Sequence, residues 1–217
     1  YQKIGVRKIE SFQGRVLLAD DMGLGKTVQT LKYVDNHPEL RPVLIISPSF
    51  LKWVWESQLK THFHKRGEVL SGTKPILTNK LLKNNIFIIN YEILRHWIST
   101  LRELKPKIVI IDECHRQKSS TAKITKAIRI LCRDIKHIIC ISGTPFLNRP
   151  IELFTTLNLL WPKEFPSKWS FGFRYCKPTR RPWGWEFKGA THLDELHEKL
   201  KSLGMIRRLK TEVLKQL

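Results

Sequence analysis

Five short apolar runs, at residues 15–20, 43–47, 86–90, 108–112 and 137–142, predict strands, and the segments between them, near 26–36, 52–64, 92–104 and 121–133, predict helices. Ile108-Val109-Ile110-Ile111 is apolar without a break, as in a strand covered on both faces. Such alternation of strand and helix argues for a parallel sheet with helices on both faces, an α/β architecture. After Pro150 the alternation stops. Pro162, Pro166, Pro178 and Pro182 cut the chain into short pieces before an amphipathic helix at about 192–203. This stretch reads as a small helical protrusion and not as another sheet. The expected organisation is one lobe over residues 1–148, with a protrusion and the end of that lobe over 149–217. The 217 residues, 41% of them apolar, suffice for a large core. Trp53 and Trp55 cannot share one helix face, so at most one belongs to the core; the other either stacks on a base or packs on a neighbouring loop.

Three polar stretches follow three of the strands. Asp20-Asp21-Met22-Gly23-Leu24-Gly25-Lys26-Thr27 lies between strand and helix, the order of a phosphate cradle. Across Gly23, Leu24 and Gly25, backbone N–H groups can converge on phosphate oxygens, and the helix N-terminus adds partial positive charge. Lys26 would reach the β- and γ-phosphates of ATP as a point charge, and the Thr27 hydroxyl would coordinate Mg²⁺. Asp20 stands where such loops usually carry another glycine. Asp112-Glu113-Cys114-His115 ends the fourth strand, and ligands of open α/β sheets bind outside strand C-termini. Asp112 is placed there to help hold Mg²⁺, Glu113 to orient or deprotonate the attacking water, and His115 to couple the site to its surroundings. Ser142-Gly143-Thr144-Pro145 turns out of the fifth strand, so Ser142 and Thr144 are placed to sense the nucleotide state. Alone this is an ordinary turn, and its meaning comes from order and spacing.

Charge adds a partner. Against 39 Lys+Arg stand 19 Asp+Glu, a formal charge of +20, the footprint expected of a protein that meets phosphate backbones. Binding of that kind weakens with salt, with a log–log slope of about −0.9 per contact on duplex DNA. No apolar run approaches the roughly 20 residues needed to span a bilayer. The four cysteines show no paired spacing, so neither a zinc site nor a disulfide framework is indicated. A soluble intracellular protein is expected, nuclear in a eukaryote or cytoplasmic in a bacterium or phage.

In order and content the three stretches resemble the first RecA-like lobe of the SWI/SNF-type, DExH-box ATPases of helicase superfamily two, and the resemblance covers essentially the whole chain. Tyr1-Gln2 with Gly5-Val6 resembles that family's opening element, which implies an adenine contact for Gln2. Ser47-Pro48-Ser49 and Asn90-Tyr91-Glu92 sit where the family contacts the DNA backbone, which implies such contacts for Pro48, Ser49, Asn90 and Tyr91. Lys118 falls where the family carries a basic residue. Lys52, which opens the helix after Ser47-Pro48-Ser49, is placed to meet a backbone phosphate. Arg207-Arg208-Leu209-Lys210 resembles the signature closing the first lobe. Phe171-Gly172-Phe173-Arg174-Tyr175-Cys176, followed by Arg181-Pro182-Trp183-Gly184-Trp185, resembles the fork-remodelling, HARP-like annealing helicases. Trp183 and Trp185 are expected to be mainly structural, and the Lys177 to Arg181 patch either lies against DNA or faces water. Cys114 and Arg116-Gln117 depart from that branch's small and apolar residues.

The resemblance implies an ATP-dependent translocase on duplex or forked DNA that tracks the backbone instead of reading bases. It also implies a second RecA-like lobe, with its arginine fingers, supplied by a longer parent protein, so this piece alone should hydrolyse ATP slowly if at all. Two other readings stay open: a non-catalytic module that holds nucleotide and nucleic acid, and a restriction-type or viral helicase subunit directed to RNA or DNA.

Overall fold

Side chains alternate across each strand and divide the core in two. The computed structural model describes residues 1–76, 85–117, 122–143 and 149–214. Strands β1 (Arg15–Leu18), β2 (Val43–Ser47), β3 (Glu68–Val69), β4 (Ile86–Asn90), β5 (Ile108–Ile111), β6 (His137–Ile141) and β9 (Met205–Ile206) form a sheet in the order β3-β4-β2-β5-β6-β1-β9. Every pairing in it is parallel among the described residues. Val109 and Ile111 of β5 enter one core, Ile108 and Ile110 the other, and all four are fully buried. Burial of each such side chain is worth about 1.5–3 kcal/mol.

Helices α1 (Gln2–Ser11), α2 (Lys26–Asn36) and α3 (Lys52–Phe63) supply Val6, Leu31 and Trp55 to one core. Helices α4 (Tyr91–Glu103), α5 (Lys123–Cys132) and α6 (Phe154–Leu160) supply Leu94, Ile128 and Leu157 to the other. A parallel sheet covered on both faces is therefore the architecture, as the apolar runs require. Arg15 ties the start of β1 to its surroundings: its guanidinium donates to the carbonyls of Leu159, Ile135 and Lys136 at 3.1, 3.0 and 2.9 Å. Of the tryptophan pair, Trp55 is 1% exposed and Trp53 64%, as their two-residue spacing demands.

The second part of the chain differs from expectation. Helix α7 (Lys168–Tyr175) and helix α8 (Leu193–Leu203) do form, but a two-stranded antiparallel hairpin, β7 (Thr179–Arg181) with β8 (Gly184–Glu186), stands between them. Strand β9 then returns to the main sheet beside β1, where Leu17 pairs with Met205 and Leu18 with Ile206. Both features escaped the hydrophobic pattern because strands of two or three residues are too short to show a period. Trp185 packs on Phe173, whereas Trp183 is 81% exposed, so a structural role holds for the first and not for the second. No helix among the described residues is long and apolar enough to cross a membrane.

Candidate functional site

Sheet order brings the three polar stretches together. Strands β5, β6 and β1 are neighbours, so the loops leaving their C-terminal ends lie side by side, with that of β6 in the middle. The contact is direct: a Cβ built on Gly143 would lie 2.9 Å from Met22 Cγ and 3.4 Å from Lys26 Nζ. Thr144, expected beside Ser142, lies outside the described residues.

The loop after β1 is held from several sides. Gly25 has a φ of +68° and caps α2, and a Cβ there would meet the Gln2 carboxamide at 2.3 Å. The positive φ favours glycine there. Gln2 thus lies over the loop, at the end of a groove of about 460 Å³ between α1 and α2 lined also by Val6, Val28 and Gln29. Leu24 is buried, while Gly23, Lys26 and Thr27 are not. The Lys26 ammonium donates to the carbonyls of Asp20 and Asp21 at 2.7 and 3.1 Å. Burial pushes its pKa below the usual lysine range, while the negative charges of Asp20, Glu113, Asp112 and Asp21 oppose that shift.

Asp20, in the place of the missing glycine, is fully buried and paired with Arg208. Arg208 Nε donates to Asp20 Oδ1 at 3.0 Å, Nη1 to the Tyr1 carbonyl at 2.6 Å and Nη2 to Gln29 Oε1 at 2.6 Å. The backbone beyond β9 runs along the loop as well: Asp21 N donates to the Arg208 carbonyl at 3.1 Å, and Lys210 N to Asp21 Oδ2 at 2.9 Å. Sequence reading marked Arg207 to Lys210 as a closing signature and Asp20 as an acid in a glycine position, but did not join the two. Arg208→Ala would leave Asp20 buried without its cation. We expect it to lower unfolding stability by about 3–5 kcal/mol in chemical denaturation; a loss within error of zero would show that the pair contributes nothing.

Asp112 is oriented by neutral donors. Its Oδ2 accepts from the Trp55 indole at 2.8 Å and its Oδ1 from the Glu113 backbone N–H at 2.9 Å, while its carbonyl accepts from Tyr91 Oη at 2.6 Å. Burial lifts the Asp112 pKa above the usual carboxylate range, and the Trp55 hydrogen bond opposes that shift. Glu113 holds a left-handed conformation, φ 49° and ψ 50°, uncommon outside glycine. Its Oε2 lies 3.1 Å from His115 Nδ1, which in turn lies 3.3 Å from Ser142 Oγ. A polar chain therefore runs from the loop after β5 to the loop after β6.

The residues expected on a DNA backbone divide differently. Ser49 is exposed. Lys52 is turned inward at 9% exposure, its ammonium donating to the Leu70 carbonyl at 3.0 Å, and burial pushes its pKa down. Tyr91 is 1% exposed and committed to the Asp112 carbonyl, Asn90 donates to Glu92 Oε2 at 2.6 Å, and Pro48 is buried. The side chains of Lys52 and Tyr91 thus serve the core, because the helices they open pack directly on the sheet. Lys118 lies outside the described residues. No group of three or more His, Cys, Asp or Glu positioned for a metal occurs among the described residues.

Known proteins resemble the chain as a whole. The family model described as the SNF2-related domain matches residues 1–217. The SWI/SNF-related matrix-associated actin-dependent regulator of chromatin subfamily A-like protein 1 of Bos taurus is 35% identical over 219 residues, covering 100% of this chain and 23% of that protein. The DNA annealing helicase and endonuclease ZRANB3 of Bos taurus is 34% identical over 230 residues, covering 100% of this chain and 21% of that protein. Among solved structures, the Sulfolobus solfataricus SWI2/SNF2 ATPase core in complex with dsDNA superposes with a TM-score of 0.76 at 28% identity, covering 94% of this chain and 44% of that one. The chain thus spans less than a quarter of these two curated relatives and under half of that ATPase core.

Proposed function

The chain belongs to the SNF2-related domain family, and on that premise we propose that it is the first RecA-like lobe of an ATP-driven DNA translocase of the annealing-helicase type. Residues 1–148 would form the ATP-binding lobe and 149–217 the protrusion and the lobe's end, with a second lobe supplied elsewhere in the parent protein. The 44% coverage of the ATPase core supports that division of labour. The observation that carries the reading is the convergence of Lys26, Asp112, Glu113 and Ser142 at the C-terminal edge of three adjacent strands.

In this reading Lys26 exchanges two loop carbonyls for the β- and γ-phosphate oxygens, and the N–H groups of Gly23, Leu24 and Gly25 take the rest of their charge. The groove beside Gln2 suits an adenine ring, with the carboxamide offering a donor and an acceptor. The donor set fits Mg²⁺: a Thr27 hydroxyl and an Asp112 carboxylate are hard oxygens, and Mg²⁺ completes its shell with water and phosphates instead of an all-protein cage. Held by Thr27 and Asp112, it would neutralise charge on the phosphates. Glu113, projected by its left-handed backbone and facing His115, orients the attacking water and takes its proton. His115 and Ser142 carry the state of that carboxylate to the neighbouring loop. DNA would lie against the backbone near Pro48, Ser49 and Asn90, with Lys118 as a further contact, and such a motor works inside the cell.

Trp55→Phe removes the hydrogen bond that lowers the Asp112 pKa, so that pKa should rise further. Turnover needs the ionised carboxylate, so the acid limb of its pH profile should move to higher pH; an unmoved limb would contradict the role given to Asp112. The reading itself is tested by ATP turnover of the parent protein with no nucleic acid, duplex DNA, forked DNA or RNA. Stimulation by DNA, strongest with forks, is expected. Stimulation by RNA alone would overturn the DNA assignment, and no stimulation by any of them would leave a binding module.

A further inference from the structure

The hairpin of the protrusion has no part in the nucleotide site, yet of the five aromatic rings that it shares with α7 only four hold it in place. Phe173 packs against Trp185 at 5.0 Å between centroids and against Phe187 at 5.5 Å, and Trp169 packs against Phe187 at 5.5 Å. These are edge-to-face contacts of the kind that stabilise aromatic clusters. Gly172 makes room for the cluster, since a Cβ there would meet the Phe187 ring at 2.8 Å. The ladder fastens β7 and β8 to α7 and fixes the direction of the hairpin.

The fifth ring is not used. Arg181 pairs with Gly184, so Pro182 and Trp183 form the two-residue tip, and Trp183 is 81% exposed with no ring contact among the described residues. Arg180 stands directly opposite Trp185, which puts a guanidinium and an indole on one face of the hairpin. Residues 177–188 carry four basic side chains, Lys177, Arg180, Arg181 and Lys188, against the one acid Glu186. Glu186 pairs with Arg181 at 3.3 Å and also meets Lys188, so the segment stays net positive.

We propose that the Trp183 tip and Arg180 form a contact site for unpaired nucleic-acid bases, where a base stacks on the exposed indole while the basic strand holds the adjoining phosphates. A rigidly mounted hairpin with an indole at its tip and cations along its strands offers a π-face and positive charge together, the pair of features that single strands require. Intact duplex presents its phosphates but keeps its base faces stacked, so the ring would discriminate and the cations would not. A protein partner would satisfy the ring but leaves the charge excess without a purpose. The proposal extends the DNA-tracking reading and takes its setting from it, but the site itself does not depend on ATP.

The test is nucleotide-free equilibrium binding of the parent protein to oligo(dT), a forked duplex and a blunt duplex of equal length, each at fixed salt. Trp183→Ala should weaken binding to oligo(dT) and to the fork about fivefold or more, leave the blunt duplex within about twofold, and be rescued by Trp183→Phe. Arg180→Ala should weaken all three. Because Trp183 is exposed, the thermal midpoint of Trp183→Ala should match the wild type. Unchanged affinity for oligo(dT), or an equal loss on blunt duplex, would overturn the proposal. Neither outcome involves turnover, so it would be distinguishable from failure of the ATPase reading.

Discussion

Glu113→Gln should reduce ATP turnover by about 10²–10⁴-fold, the usual contribution of a positioned general base, while nucleotide still binds. The amide keeps the size of the side chain but cannot take a proton. Glu113 is 31% exposed, its carboxylate is not needed by the core, and its left-handed backbone is set by the loop and not by the acid. Fold and thermal midpoint should therefore be preserved. Steady-state turnover beside nucleotide binding checks the prediction, and normal turnover by the variant would remove Glu113 from the chemistry.

Lys26→Ala should be at least as damaging, but at the binding step. A charge-assisted hydrogen bond is worth about 1.5–3 kcal/mol, so nucleotide affinity should fall ~10- to ~150-fold, with turnover falling further because charge develops on the same oxygens during the reaction. Lys26 is half-buried among four carboxylates whose charges oppose the burial shift in its pKa. Without the ammonium, Asp112 and Glu113 would meet the phosphates with their negative charge uncompensated by Lys26, which adds repulsion to the lost attraction. Direct titration of nucleotide separates this variant from Glu113→Gln: the one should lose binding, the other only turnover.

Both predictions concern residues visible in the sequence, and the reason is physical. A loop that cradles phosphate must carry glycine and lysine in fixed order, and strands buried on both faces must be apolar throughout, so β1, β5 and β6 and the polar residues after them were readable from local pattern. What could not be read depends on contacts between distant positions. Arg208 and Asp20 are separated by 188 positions, and nothing local in either suggests the other. Trp55 and Asp112 are likewise joined only by the packing of α3 on the sheet. The inward turn of Lys52 had no sequence sign, because a lysine opening a helix normally stays in water, and here the carbonyl of Leu70 draws it in. Strand β9 was missed because two residues carry no period, although it is the clasp that brings Arg208 to the phosphate loop.

The clasp also gives the loop a mechanical neighbour. Through Ala19, Asp21 and Lys210 the backbone from the end of β9 onward is hydrogen-bonded to the same loop that Lys26 serves. Movement of the phosphate loop would therefore be felt by the segment leading out of the sheet. That is the physical sense in which nucleotide could be coupled to a second lobe.

The central claim is that residues 20–27 and Asp112 form one nucleotide site. It is tested most directly by calorimetric titration of the parent protein with Mg-ATP, wild type beside Lys26→Ala and Glu113→Gln. Binding of one nucleotide by this lobe, retained in Glu113→Gln and lost or greatly weakened in Lys26→Ala, is the result the account predicts. Equal binding by all three proteins, or none by the wild type, would contradict it.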